Sequence, residues 1–579
     1  MAAVERSIVH VSAQFVGINY RRPSSTMEPQ SKTGSGWVAD LFELSDFQDR
    51  DNPVYLQWIK KLGIPLNKHG QALVIVSNAH VVHRQVSLQV RLSSSAKKYD
   101  AKIIGIAHDR DLAVLAVTDP TFIEKVTPYP VDQKLPSKET KISAYGFAQN
   151  GTDLAFSDGV FSRTTNLAYA FSRLPLLNLE VTAAINPGCS GGILCDSSTN
   201  KVIGVIHQVS TGANQQSYAI PMMYLRNVAR ELLLCGKIMG VPTLSITTEL
   251  LQDKSKRSFF GLEPEGENGV FVRKVKSPHQ KTLLPGDIIL AIDGHPVKSD
   301  ATVNLDGLNI GFGTILHQRL VFESVSVTLL RNKEEITLKA PLNNACTELD
   351  KIPGCPSEYV PPYLYRHGIL FTTLHDALSG FYKNALGQNT TPVNLFQHMA
   401  ENQSKTPATR SVIFIQFMGG QELAGYGNEF ENAVITHING QSIVDIWSVK
   451  HILDALPADT QYLCLRTEGS DVDNVIIPVA DQKREAALKA LYKVHSPLAL
   501  VSHFDLWKKA TQVIGISHYL RKKRQHPTSE TSEASTDLPV TSSDSHATAT
   551  RDVTATSGSG DTLSPPINSD QKSRFTISS

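Results

Sequence analysis

Residues 74–82 read Val74-Ile-Val-Ser-Asn-Ala-His80-Val-Val82: an apolar strand runs into a turn of small residues that presents one histidine. Further on, His108-Asp-Arg-Asp111-Leu-Ala-Val-Leu115 sets an acid immediately before another apolar strand. Later, Ala184-Ile-Asn-Pro-Gly188-Cys-Ser190-Gly-Gly192 holds a serine in a glycine-rich loop. These residue types point to acyl-transfer chemistry. A serine hydroxyl is a poor nucleophile until an imidazole takes its proton, and the imidazole needs a buried carboxylate to orient it. The intermediate needs backbone N–H donors aimed at its oxyanion, and losing one costs roughly 3–4 kcal/mol in the transition state. Gly188, Cys189 and Ser190 are the candidate donors, since glycine lets a loop backbone turn inward. Asp111 is favoured over Asp109 as the orienting acid because it abuts the apolar strand. Each segment alone has a bland reading, as a core histidine or an ordinary Gly-rich turn; the three in this order do not.

Working outward, residues 1–225 carry short β-type runs: Ser7–Val16, Ala72–Val76, Val86–Leu92, Ala113–Val117, Lys141–Tyr145, Leu177–Thr182 and Val202–His207. Short strands bounded by turn residues predict an all-β barrel or sandwich. The stretch Ala39–Gly70, with LFELSDFQDRDNPVYLQWIKKLGIP, breaks that rhythm and reads as an inserted loop with a helical turn. Met222–Cys235 has helical spacing, with Leu225, Val228, Leu232 and Leu233 on one face and Gly236 as the C-cap. A weak internal repeat follows. ILAIDGHPV (289–297) and ITHINGQSI (435–443) are each strand, Asp-Gly or Asn-Gly turn, strand, the strongest short hairpin signal. They predict two domains of one type, at 245–342 and 362–500. A proline-rich linker (343–361) joins them, and a helical, basic segment (501–524) and a Ser/Thr-rich tail (525–579) follow. The tail lacks the apolar surface needed to offset ordering entropy and is read as disordered.

Hydrophobic residues make up 41% of the 579, charged residues 19%, and the formal net charge is +1. No global field draws the chain to nucleic acid or an anionic membrane. Six cysteines form no C-x-x-C pair, so neither a disulfide framework nor a zinc site is expected, and no cofactor or metal is called for. His83, His108 and His207 read as surface or satisfied histidines. The opening MAAVERSIVHVSAQFVGINY lacks a signal-peptide pattern, and no run approaches the ~20 apolar residues of a membrane span. The expectation is a cytoplasmic location, with the nucleus or secretion without a cleaved signal as alternatives. Arg521-Lys-Lys-Arg524 is read as a solvated helix end before a nuclear address.

The order His, Asp, Ser matches the chymotrypsin arrangement, and the three segments resemble those of the Deg/HtrA serine proteases. That family has T-N-A-H-V-V, D-L-A-L-L and N-P-G-N-S-G-G-P where this chain has S-N-A-H-V-V, D-L-A-V-L and N-P-G-C-S-G-G-I. The resemblance implies a mainly β, trypsin-like double β-barrel protease domain (1–240) followed by two PDZ-like α+β domains, closest in layout to plant and fungal Deg proteases. It implies His80 as general base, Asp111 as its orienter and Ser190 as nucleophile. Tyr218-Ala219-Ile220-Pro221 resembles the F-A-I-P strand lining the specificity pocket. Leu284–Leu290 with Asp293-Gly294 resembles the end of an HtrA-type PDZ domain, Gly368–Thr373 is similar to a second one, and Phe260-Gly261-Leu262 is the candidate peptide-binding loop. Unfolded or damaged proteins are the implied substrates, and trimers or multiples of trimers the implied assembly. Two departures stand out: Cys189 replaces Asn, and Ile193 replaces Pro. Burial is the favoured role for Cys189, with oxidation sensitivity as the alternative. The Ala39–Gly70 insert falls where the family carries a regulatory loop, and is expected over the cleft. The rival reading is a chaperone or peptide-binding scaffold whose protease domain is idle or conditionally activated.

Overall fold

Apolar residues alternate along Ile8-Val-His-Val-Ser-Ala, and in the computed structural model this stretch opens strand β1 (Ile8–Ile18), burying Val9, Val11 and Ala13 in one cluster. The structure describes residues 2–345, apart from 19–25, 94, 150, 152, 170, 173, 210–215, 278–279 and 322, together with 362–374, 395, 413–417, 425–426, 430, 432–491 and 498–499. Most of the linker, the basic segment and the Ser/Thr-rich tail read from the sequence lie outside the described residues.

Two antiparallel β-systems hold the three sequence segments. The first comprises β1, β2 (Thr26–Asp40), β3 (Leu73–Ser77), β4 (Gln85–Leu92), β5 (Lys98–Asp100), β6 (Lys102–Ala107) and β7 (Leu112–Ala116) in the order β5-β4-β1-β2-β3-β7-β6. Its inner face buries Val9, Val38, Ile75, Val90, Tyr99 and Leu115. The second comprises β8 (Lys141–Phe147), β9 (Leu154–Ala168), β10 (Pro175–Val181), β11 (Ile193–Asp196), β12 (Lys201–Val209) and β13 (Ser217–Pro221), closed as a barrel in the order β10-β13-β12-β11-β8-β9. The predicted helix follows as Met222–Cys235, stopped by Gly236 at φ +66, a left-handed position that glycine takes without a Cβ clash.

The insert does not lie over the cleft. It folds into two helices, Leu41–Ser45 and Pro53–Leu62, which pack on the closing helix Met222–Cys235. Asp40 and Asn52 cap them by accepting from Phe42 N and Val54 N. Leu41, Phe42, Leu44 and Ile59 are buried, and Arg230 donates to the Ser45 carbonyl at 2.8 Å. The apolar stripe Tyr55–Ile59 needed a partner surface, and the closing helix supplies it. A buried ion network ties that helix to the first β-system: Arg110 donates to both carboxylate oxygens of Glu231, at 3.2 and 2.9 Å, and to Asp109 at 3.3 Å.

Downstream, a sheet in the order Ile246–Glu249, Val270–Val275, Ile288–Ile292, Ser324–Arg331, Glu334–Pro341 packs into the same extended core. The first hairpin of the internal repeat is present as Ile288–Ile292 paired with His295–Pro296, with Asp293 at φ +47 and Gly294 at φ +80. The second is Ile435–Ile438 paired with Gln441–Ser442, with Asn439 at φ +46 and Gly440 at φ +75. Positive φ at both central residues is the type I′ requirement that Asp-Gly and Asn-Gly meet. Phe260, Gly261 and Leu262, the candidate peptide-binding loop, directly follow the helix Lys254–Phe259. Gly261 turns at φ +84, and Leu262 N donates to Arg257 O at 2.9 Å. The end strands of that sheet are Ile246–Glu249 and Glu334–Pro341. Beyond it, Ile369–Thr373 is a fully buried strand between Tyr363–Arg366 and Ile413–Phe417. Helix Ile446–Asp454, with an Asp445/Ser448 capping box, covers a second core. No described helix is long and apolar enough to cross a membrane.

Replacing Arg110 by Met strands two buried carboxylates, and breaking a buried pair this way destabilises by about 3–5 kcal/mol. The expected outcome is a matching fall in the urea midpoint of the protease-domain transition, largely recovered in Arg110→Met/Glu231→Leu.

Candidate active site

Strand pairing brings the first two segments together. β3 and β7 pair with Ser77 opposite Ala113, so the turn after β3 and the residue before β7 converge. His80 sits on the single turn Ala79–Val82. Asp111 takes a left-handed backbone, φ +49, uncommon for a residue with a side chain but better tolerated by Asp than by most. Its carbonyl accepts from Ala79 N at 3.2 Å and from Asn78 Nδ2 at 2.9 Å. Its carboxylate is then aimed at His80: Oδ1 accepts the His80 backbone N–H at 2.9 Å, and Oδ2 lies 2.8 Å from Nδ1. Burial alone would raise this carboxyl. The charge and hydrogen bond of His80, with His207 nearby, outweigh it and hold Asp111 well below the usual carboxylate range. Asp109 faces elsewhere, accepting from Val241 N at 2.8 Å and from Arg110.

Ser190 comes from the second barrel, on the loop between β10 and β11. Gly188 and Gly191 hold φ +95 and +84, and a Cβ on Gly191 would stand 2.1 Å from Ser35 O. Ser35, on β2, is the clamp. Its N–H donates to Ser190 O at 2.8 Å and its hydroxyl to Gly188 O at 2.9 Å. That hydroxyl also accepts from Phe147 N at 2.7 Å, and Ser35 O accepts from Ser77 Oγ at 2.7 Å. Cys189 N–H is engaged with Asn186 O at 3.1 Å, so that of the three candidate oxyanion donors the amides of Gly188 and Ser190 have no acceptor among the described residues. The Cys189 side chain is buried, and burial pushes its thiol up. No hydrogen bond joins Ser190 to His80 among the described residues.

Of the two readings of His207, surface or satisfied, the structure gives the second: the ring is buried, with a hydrogen-bond partner, and it stands beside the site. Its side chain is 2% exposed and its Nδ1 stands 3.7 Å from Asp111 Oδ2. Nε2 meets Asn178 Oδ1 at 2.6 Å, and Tyr169 stacks on the ring at 4.9 Å. The only sequence signal was a titratable residue in the middle of an apolar strand. His83 and His108 flank Phe171, at 5.0 and 5.4 Å between ring centroids. Tyr218, Ala219 and Ile220 lie on β13, all buried, with Tyr218 opposite Glu180. Ala219 and Ile220 place their side chains in the core.

Residues 63–205 match the family described as trypsin-like peptidase domain, and residues 352–498 the one described as PDZ domain. The chain is 28% identical over 424 residues to Protease Do-like 4, mitochondrial, of Arabidopsis thaliana, covering 72% of this chain and 75% of that protein. It is 26% identical over 434 residues to Putative protease Do-like 3, mitochondrial, of the same plant, covering 74% and 72%. The chain is a serine protease with a trypsin-like peptidase domain and a PDZ domain, and it is similar to the Do-like (Deg/HtrA) proteases. A solved structure of an HtrA-type protease, AlgW with decapeptide, superposes with a TM-score of 0.40 at 17% identity, covering 59% of this chain and 96% of that one.

In this serine protease Ser35→Ala removes one donor and one acceptor from a buried junction. Leaving such partners unsatisfied costs about 1–3 kcal/mol, so thermal stability and kcat are both expected to fall, checked by calorimetry and casein turnover. Acid has a separate effect. Burial, with Lys32 nearby, lowers His83 to about 3, and burial lowers His108 to about 4. The unfolded chain, with ordinary histidines near 6.5, binds more protons than the fold between pH 6.5 and those values. Stability is therefore full above about pH 6.5 and is lost as pH falls towards 4. Urea midpoints across that range check this, with a shallower slope expected for His108→Gln.

Proposed function

We propose that this serine endopeptidase cleaves with Ser190 as nucleophile, His80 as general base and Asp111 as the group that orients and charges His80. The observation that carries the reading is the double grip of Asp111 on His80, through the ring nitrogen and the backbone N–H of one residue. The ring bond to the carboxylate requires the proton on Nδ1 and so leaves Nε2 to act on substrate, while the backbone bond holds the residue against Asp111. Ser190 Oγ attacks the scissile carbonyl and its proton passes to His80 Nε2. The amides of Gly188 and Ser190 take the oxyanion, and His80 then protonates the leaving amine. Unfolded or damaged proteins are the proposed substrates. The PDZ match at 352–498 and the similarly patterned unit at 245–342 are proposed to bind extended chains by strand addition, and assembly into trimers is proposed with them.

The missing Ser190–His80 hydrogen bond favours a conditional form of the same reading, in which substrate or a partner completes the contact. Apo sites often close such bonds only in the Michaelis complex.

Casein degradation and fluorophosphonate labelling test the assignment. Wild type is expected to cleave and label, and Ser190→Ala to do neither. Removing such a nucleophile costs about 10⁶ in kcat, and Asp111→Asn is expected to lose about 10⁴. Labelling that survives in Ser190→Ala would move the nucleophile elsewhere. A wild type that neither cleaves nor labels yet suppresses client aggregation would favour the chaperone reading.

A further inference from the structure

Asp111 Oδ2 faces two imidazoles. His80 Nδ1 is at 2.8 Å and His207 Nδ1 at 3.7 Å; the side chains of Asp111 and His207 are buried, and that of His80 is partly exposed. The proton inventory of His207 follows from its other nitrogen. Asn178 Nδ2 donates to Leu176 O at 2.9 Å, which turns Asn178 Oδ1, an acceptor, towards His207 Nε2 at 2.6 Å. An acceptor at that distance requires the proton on Nε2. In the neutral ring Nδ1 is therefore bare, and its lone pair faces the Asp111 carboxylate. Only the doubly protonated ring donates to Asp111.

We propose that His207 is a positioning residue for Asp111. While neutral, with Asn178 holding it in the Nε2–H form, it leaves His80 as the only side-chain donor to Oδ2 among the described residues; once protonated, it becomes a rival donor that draws the carboxylate from His80. The inference rests on the His80–Asp111–Ser190 reading above. A bare nitrogen beside a carboxylate repels its charge, so Asp111 directs its field at His80, where the imidazolium forms.

The groups that face His207 are few. Asp111 stands in front with His80 beyond it, and Tyr169 stacks on the ring with Tyr224 behind, 6.4 Å from Tyr169. Lys32, from β2, and His108 act on the same carboxylate. Burial lowers His207 from its ordinary value, while Asp111 opposes the shift, consistent with a neutral ring at pH 7. Tyr169 is a neutral phenol whose hydroxyl is spent on Leu177 O at 3.0 Å.

The test is the pH dependence of casein cleavage by the full chain, wild type beside His207→Asn. Asn cannot be protonated and presents an N–H to Asp111 at every pH. The expected result is kcat lower by about tenfold with KM within about twofold. The acid limb is expected to move to lower pH by about half a unit, because a rival donor weakens the support that Asp111 gives the imidazolium. Profiles that superimpose after scaling mean that His207 only fills space, and the proposal falls. If His207→Asn does not fold, nitrogen-15 imidazole NMR of Ser190→Ala decides, with the His207 ring identified by its contact with Tyr169. An Nε2–H tautomer at neutral pH supports the proposal and an Nδ1–H tautomer overturns it. Wild type whose cleavage does not depend on Ser190 removes the triad reading and this inference with it; Ser190-dependent activity with superimposed profiles removes His207 alone.

Discussion

Ser35 is the joint on which the site depends. The candidate base and its acid stand on the first β-system and the candidate nucleophile on the second, and productive geometry tolerates only tenths of an ångström. Three hydrogen bonds at one fully buried serine span that seam, two of them to the loop that carries Ser190, and a fourth, from Ser77, ties the serine to its own sheet. The neighbouring glycines serve the same approach. A Cβ on Gly34 would press within 2.7 Å of Val81, beside His80. The backbone of β2 must therefore be bare where it meets the other barrel, and the strand is poor in apolar side chains for that reason.

Asp109, Arg110 and Asp111 are three consecutive charged residues, all buried. Burying even one charge is costly unless it is paired, and here each is paired in a different direction. Asp109 takes Val241 N–H, Arg110 takes Glu231 of the closing helix, and Asp111 takes His80. The left-handed kink at Asp111 separates the structural pair from the one aimed at the cleft. Around it burial holds His83, His108 and His207 below their ordinary values, and the carboxylate of Asp111 meets the ring of His80 at 2.8 Å.

The closing helix is a hub. Arg230 holds the insert, Glu231 holds Arg110, and Tyr224 and Asn227 meet the next unit. The Tyr224 hydroxyl lies 3.0 Å from His317 Nδ1, and Asn227 donates to the carbonyls of His317 and Arg319. The Tyr224 hydroxyl also accepts Leu177 N–H on β10, one residue before Asn178. The same strand thus meets the interface with the downstream sheet and the partner of His207.

By itself the sequence determined what local chemistry determines. Alternation and turn residues marked most strands of both β-systems, helical spacing and Gly236 marked the closing helix, and Asp-Gly and Asn-Gly marked the two hairpins, because side-chain sterics and left-handed φ are properties of short stretches. The three motifs marked His80, Asp111 and the Ser190 loop, since that chemistry needs those residue types whatever surrounds them. Tertiary structure alone decided the rest. β2 hides its strand character behind Pro29, Gly34 and Gly36, and is held by cross-strand pairing that no window of sequence contains. The insert looked like a free loop until the closing helix gave its apolar stripe a surface to cover. His207 looked like any histidine in a strand, because what sets its tautomer, Asn178 on β10, and what it faces, Asp111 before β7, lie far from it in the chain and meet only when the barrels close.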